Sequence, residues 1–447
     1  MTSEPRRFSP SEVRRAIVGG AVGNTLEWYD FAVYGYLATT MGALFFPTDN
    51  KVASTLAGFG VFAVGYFMRP LGSIVLGSVG DRHGRRAMLT LSIIIMGIAS
   101  FLIGVLPTYS SIGLAAPILL TLLRMAQGFS VGGEYTGSMT YATEVAPVKH
   151  RGLFSSFATV GAVVGLVLGS ATDWILTAQL TSAQFSDWGW RLPFLLGLPI
   201  GALGLWLRAH LPETMEAQSP SQTSDSGFET IFTHHWRALI QIVGIVTGAS
   251  LVFYVLFVWA VDRGQVLVKD GTSIQGANTL NLALLVVWMI VGGWISDRVG
   301  RRVVSIFCTA ALLLVLIPCT LLLMGDQGTI SAFFPGRTFD ATTFLLAQAV
   351  LGVPIGLILG VQGAMIVELT PRELRCRMFS LAYSFAMAFL AGTAPFVATL
   401  LCDQFGWLAG PGVYCSLFCA WAFTALWFTH ETAPRYATSI PTTSRRY

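Results

Sequence analysis

The sequence predicts an all-α membrane protein of twelve transmembrane helices, arranged as two like six-helix halves. Three observations carry that prediction. Of the 447 residues, 54% are hydrophobic and only 11% charged, where about a quarter of a soluble domain is charged; the mean hydropathy is +0.66. Apolar runs near the roughly 20 residues that cross a hydrocarbon layer recur along the chain. Two short polar motifs of the first half also return, in order, in the second.

The runs place helices at 16–40, 54–79, 87–106, 113–143, 153–177, 190–209, 237–261, 273–295, 303–324, 342–367, 378–402 and 407–429. The first follows a basic stretch, MTSEPRRFSPSEVRRAIVGG, with no small-residue cleavage site after a short apolar core, so it reads as a retained helix. The longest polar interruption, HLPETMEAQSPSQTSDSGFETIFTHHW at 210–236, reads as a cytoplasmic linker. It separates an N-terminal six-helix bundle (1–209) from a C-terminal bundle with a short tail (237–447). With the N-terminus inside, only Lys51, Arg191, Arg263, Lys269 and Arg337 of the 27 basic residues fall outside, and Arg69 and Arg124 lie within helices. Short cytoplasmic loops accumulate Lys and Arg, so both termini are expected to be cytoplasmic.

GSVGDRHGRR (Gly77–Arg86) after helix 2 returns as GGWISDRVGRR (Gly292–Arg302) after helix 8, and EVAPVKHR (Glu144–Arg151) after helix 4 returns as ELTPRELR (Glu368–Arg375) after helix 10. Two matches in register indicate duplicated halves. Like-oriented halves are one architecture of alternating access about a midplane site. An Arg–carboxylate fork is directional, so Asp81 and Asp297 are candidate latches. Arg82, Arg85, Arg86, Arg151, Arg298, Arg301, Arg302 and Arg375 are the basic partners, and Glu144 and Glu368 the counter-charges. The alternative is a solvated basic loop that only sets topology.

These loops resemble those of the major facilitator superfamily. GNTLEWYDFAVYG, RPLGSIVLGSVGDRHGRR, RMAQGFSVGGEYTG and DWGWRLPF further resemble its metabolite:H⁺ symporter branch, the first half being most similar to proline/betaine transporters. The resemblance implies the major facilitator fold and proton-coupled solute transport. The coiled-coil tail of those osmosensory transporters has no counterpart in TAPRYATSIPTTSRRY, so osmosensing through one is not implied.

Charges inside the membrane are costly unless paired or watered, and they mark function by default. Well inside the helices lie Glu27, Asp30, Arg69, Arg124 and Glu134. Glu27 and Asp30, at i and i+3, share a helix face. They sit about 16 to 21 Å from the inner end of helix 1 at ~1.5 Å per residue. Arg124 reaches a similar depth on helix 4, Glu134 a lower one, and Arg69 is expected toward the cytoplasmic side. The six histidines (His83, His150, His210, His234, His235, His430) fall in inner loops or at helix ends, leaving carboxylates as proton carriers. Burial raises a carboxylate's pKa and an adjacent cation lowers it. Asp30 and Glu27 are therefore the expected proton-coupling pair, sharing one proton, with Glu134 a second relay candidate. The alternative is a structural Asp30–Arg124 ion pair.

Arg124, beside Gln127, is the expected anchor for a substrate carboxylate. Trp28 and Tyr34 lie on the same stretch as Tyr29, Phe31 and Tyr36, and rings there could stack on a quaternary ammonium; ordinary aromatic packing is the competing reading. Tyr254, Trp259, Asn278, Asn281, Gln362 and Tyr383 are neutral cavity candidates of the second half. Helix 5 carries G-x-x-x-G-x-x-x-G at Gly161, Gly165 and Gly169, a face for close helix approach. QGFSVGGEYTG lacks the strand and G-K-[ST] ending of a phosphate loop. The six cysteines all lie in the second half; Cys415 and Cys419 are one turn apart with no His or carboxylate to complete a metal site.

The expectation is a proton-coupled symporter of a small organic solute such as proline or glycine betaine. The alternative is a symporter of a carboxylate such as 2-oxoglutarate or citrate. No nucleophile–base pair points to an enzyme, and neither linker nor tail leaves room for a signalling domain. The proton is the coupling ion, with no other cofactor, metal or nucleic acid. A monomer in a bacterial-type inner membrane is expected.

Overall fold

The computed structural model describes residues 10–83, 85–132, 134–210, 231–268, 271–371 and 374–434; the side chains of Asp81, Arg82, Arg85, Arg86 and Glu134 lie outside the described part, as do residues 211–230 of the linker. Helices occupy all twelve expected positions. In the first half, helix 1 is Pro10–Tyr36, continued by Ala38–Phe45; helix 2 is Lys51–Phe67 with Arg69–His83; helix 3, Arg85–Val105; helix 4, Ala115–Ser130 with Glu134–Val145; helix 5, Arg151–Gln179; helix 6, Arg191–Leu195 with Gly197–His210. In the second, helix 7 is Trp236–Leu267, helix 8 Gly271–Val299, helix 9 Arg301–Leu323, helix 10 Ala341–Leu369, helix 11 Arg375–Gln404 and helix 12 Gly410–Trp427.

Local chemistry sets several ends. Asn50 caps helix 2, its Oδ1 accepting from the backbone N–H of Val52 and Ala53, and Asp340 caps helix 10 through Thr343, the usual remedy for orphan N–H groups. In the loop before the short helix Gln327–Phe333, hydrogen bonds from the Thr329 hydroxyl and then its backbone hold the Asp326 carboxyl below the usual range. The interruptions matter more. Helix 2 turns at Met68 and restarts with Pro70 in its first turn, where proline's fixed φ suits a helix start. Helix 7 carries a π turn at Val255–Trp259 and helix 11 two, at Met387–Ala391 and Leu400–Gln404. Such turns re-aim side chains and often mark working positions.

Helices 1, 2, 4 and 5 face helices 7, 8, 10 and 11 across the interface of the halves, with the tightest cross-half packing between helices 5 and 8. Helices 3, 6, 9 and 12 lie outside and turn Ile98, Trp206, Leu314 and Leu417 outward, as lipid-facing helices do. The glycine face of helix 5 lies on helix 1. A Cβ at Gly161 would stand 2.3 Å from the Ala21 carbonyl oxygen, and one at Gly165 2.4 Å from that of Thr25. Helices 2 and 4 approach closer still: a Cβ at Gly128 would fall 1.7 Å from the Gly65 carbonyl oxygen. Backbone cannot yield there as a flexible side chain would, so Gly128→Ala is expected to destabilise by about 1–3 kcal/mol or more. Thermal unfolding of the purified protein checks this; an unchanged midpoint would show the helices free to part.

Candidate functional site

The centre of the molecule is a sealed cluster of charge and aromatic rings. Arg124 is 0% exposed and Arg69 2%. The Arg124 guanidinium carbon lies 4.2 Å from the Tyr34 ring centroid and 4.8 Å from that of Phe31. That of Arg69 lies 4.4 Å from Tyr66, 4.5 Å from Phe31 and 5.0 Å from Trp28. The rings of Trp28 and Tyr34 therefore already hold the protein's own cations. The expected inner position of Arg69 is corrected. The helix restart at Arg69 turns its long side chain onto helix 1, at the level of the central rings, where it acts on Tyr254 and Tyr383 of the other half.

Each guanidinium keeps unused donors. Arg124 Nη1 donates to Gln127 Oε1 (2.7 Å), and Gln127 Nε2 to Ser100 Oγ (2.7 Å), leaving Arg124 Nε and Nη2 without hydrogen-bond partners. Arg69 Nε and Nη2 are likewise buried without hydrogen-bond partners. A buried unmade donor costs about 1–3 kcal/mol, more when charged, so these four groups favour a ligand that accepts from them. Carboxylate oxygens match that fork.

The carboxylates of helix 1 diverge. Asp30 (3% exposed) lies beside Ser100 and within the field of Arg124, with Oδ1 lacking a hydrogen-bond partner. No Asp30–Arg124 ion pair closes. Glu27 (7% exposed) instead acts on Arg69, Tyr66, Tyr135 and Tyr383. A 60° difference around the helix sends one acid toward helices 3 and 4 and the other toward the interface, so the two do not share one proton position. Glu134 begins the second segment of helix 4, but its side chain lies outside the described part.

In the second half, the Tyr254 hydroxyl meets that of Tyr66, and the Tyr383 ring packs 5.0 Å from Tyr135. These two pairs close over the cluster from the other half. Gln362 is committed to packing, its Nε2 donating to the Ile245 carbonyl (3.1 Å). Asn278 and Asn281 are bridged by Gln348, which accepts from Asn281 (2.9 Å) and donates to Asn278 (2.9 Å). Gln348 was not singled out in the sequence, because one amide in an apolar run carries no pattern; nor were Ser100, Tyr66 and Tyr135. Trp259 is buried at the end of the helix 7 π turn.

The halves touch at both ends, so this is an occluded arrangement. At the end bearing the repeated loops, Asp297 Oδ1 and Oδ2 accept from the backbone N–H of Gly152 and Leu153 (2.9 Å each), at the start of helix 5. Arg301 holds the same carboxylate at 2.8 Å and Glu368 at 3.3 Å. Glu144 pairs with Arg375 across the halves at 2.8 Å. Arg151 acts on Glu368. Arg302 donates to the carbonyls of Leu426 and Trp427 instead, and Arg298 is exposed and stacked 3.6 Å over Trp294. The latch candidates Asp81, Arg82, Arg85 and Arg86 lie outside the described side chains. Asp297→Ala removes, besides its pairing with Arg301, the two charge-assisted bonds that cross the halves, about 1.5–3 kcal/mol each. It should raise labelling of a cysteine placed at buried Ser155 by an impermeant maleimide tenfold or more; unchanged labelling would mean the contact is no latch.

Comparison with known proteins places this geometry. A family model described as sugar (and other) transporter matches residues 16–226, and one described as major facilitator superfamily matches 270–446. The ectoine/proline transporter ProP of Corynebacterium glutamicum is 33% identical over 452 residues, covering 95% of this chain and 86% of that one. The proline/betaine transporter of Salmonella typhimurium is 33% identical over 419 residues, covering 90% and 80%. The citrate-proton symporter of Klebsiella pneumoniae is 35% identical over 412 residues, covering 90% and 88%. Among solved structures, a D-xylose-proton symporter superposes with a TM-score of 0.74 at 16% identity, covering 94% of this chain and 98% of that one, and so shares the fold. The chain is a multi-pass membrane transporter of small molecules rather than an enzyme, and it belongs to the major facilitator superfamily.

Proposed function

We propose that this protein is a proton-coupled symporter of a small carboxylate-bearing zwitterion of the proline and glycine betaine type. The observation that carries the reading is the pair of buried guanidiniums, Arg124 and Arg69, holding unmade donors, with Asp30 in the field of Arg124. A substrate carboxylate seated on Arg124 competes with Asp30 for the same cation. Once Arg124 is taken, an ionised Asp30 is left buried without compensation, a state that resists charge; binding of solute then favours uptake of a proton at Asp30. Release reverses both steps. The Corynebacterium relative, an ectoine/proline transporter, and the Salmonella relative, a proline/betaine transporter, support this solute class.

The second reading, a carboxylate such as citrate or 2-oxoglutarate, gains from the central position of Arg69, since two cations can meet two carboxylates, and from the Klebsiella relative. In this proposal the halves are 1–209 and 237–447 joined by 210–236, the basic loops and both termini are cytoplasmic, and the membrane is a bacterial inner membrane. One chain builds the whole site, so a monomer suffices. Uptake of radiolabelled proline, betaine and citrate into vesicles with an imposed inward proton gradient tests it. Gradient-driven proline or betaine accumulation is expected; citrate alone would overturn the zwitterion reading, and accumulation indifferent to the gradient would overturn coupling.

A further inference from the structure

At the end away from the repeated loops the halves close through polar groups. Ser170 of helix 5 and Thr279 of helix 8 share a hydrogen bond (2.8 Å), Asn278 donates to Ser170 Oγ (3.1 Å), and the Trp174 ring lies over Gly276. Inside this closure sits Asp173 of helix 5, 4% exposed, with Oδ1 lacking any hydrogen-bond partner. The ionisable group acting on it from the opposite half is another acid, Asp262 of helix 7. Tyr36 of helix 1 is the other titratable neighbour of Asp173, and Thr39 lies beside Asp262. Arg263, paired with Asp403 at 2.8 Å, acts on Asp262 together with that acid, so the pair brings Asp262 one charge of each sign; Lys269 and Asp270 lie outside the described residues.

An acid buried at this closure with an oxygen unbonded, and within the field of a second acid from the opposite half, is not readily ionised together with it. When the halves part at this end, each carboxylate is hydrated and nothing opposes its charge. We propose that Asp173 and Asp262 together bind one proton whenever the halves close at this end, making that closure proton-linked independently of the central acids. The inference rests on the two-halved fold and not on the solute. The closed form then carries one proton more than the open form. Closure is favoured at low pH and weakens as pH rises, by about tenfold in the closed-to-open ratio per pH unit once the open form has lost its proton.

The test uses the full chain in lipid nanodiscs, with the exposed Cys376 replaced by serine and spin labels at Ile175→Cys and Val266→Cys. Both positions are exposed, at 56% and 71%. The distance distribution between the labels, followed from mildly acidic to alkaline pH, reports the closed fraction. In the parent pair this fraction should fall steeply with pH, and Asp173→Asn or Asp262→Asn should each keep the end closed across the range. A pH-independent parent overturns the proposal. So do two Asn variants that titrate like the parent, or closure restored at alkaline pH by sodium chloride but not choline chloride, which would make the ligand a metal cation. If one variant does not fold, the parent titration and the other variant still decide.

Discussion

Asp30→Asn is expected to abolish gradient-driven accumulation while sparing exchange of solute across the membrane. One elementary charge crossing about 100 mV supplies about 2.3 kcal/mol, which at about 1.36 kcal/mol per decade sustains roughly a 50-fold solute gradient. An asparagine cannot take up or give back the proton, so that gradient should fall to about one. Asn keeps the volume beside Ser100 and the Arg124 field remains, so the halves can still alternate with solute bound. Vesicles loaded with unlabelled solute should therefore exchange it for label at near the parent rate. Retained accumulation would remove Asp30 from coupling and turn attention to Glu27, whose neighbours are Arg69 and the central tyrosines. Loss of exchange as well would mean Asp30 holds structure rather than a proton.

Arg124→Gln should give the second large effect, on binding. Truncating one partner of a buried charge-assisted pair costs about 2–5 kcal/mol, so apparent affinity should fall by roughly 30-fold to several thousandfold. Arg124→Lys keeps the charge but not the fork and should fall between. Arg124 also tethers Gln127 and Ser100, so affinity alone does not isolate its role. The discriminating comparison is choline against betaine, which differ by the carboxylate. If Arg124 anchors that group, the loss appears for betaine and not for choline as competitor. An equal loss for both would mark Arg124 as a strut of the cluster.

The fold was legible in advance because twelve apolar runs and two duplicated motifs over-determine it. Asp30 and Arg124 could also be brought together by counting rise per residue along helices 1 and 4. The same arithmetic failed at Arg69. It treats helix 2 as one rod and a side chain as ending at its Cα, whereas the chain restarts after Met68 and the guanidinium reaches back to helix 1. Asp173 and Asp262 were not singled out in the sequence, because each stands near the nominal end of its helix. Helices 5 and 7 run on to Gln179 and Leu267, beyond the edges hydropathy gave, so acids near a nominal end lie inside the closed interface. Aromatic residues were found by type but not by use: a tyrosine that stacks on an internal arginine and one that waits for a ligand have the same sequence.

The residues just past helix 12 fold back onto the start of helix 9. Glu431 spans the start of helix 9, its oxygens accepting from the backbone N–H of Arg301 (2.7 Å) and Arg302 (3.1 Å), while its own carboxylate also accepts from Thr432 and Ala433. Arg301 is the same residue that grips Asp297 and Glu368. The segment just past helix 12 is thus stitched, through one side chain, to the hub on which the opposite half is moored. Trimming the protein a few residues too early would fray that hub from behind, and a fluorescent or affinity fusion belongs well downstream of the stitch.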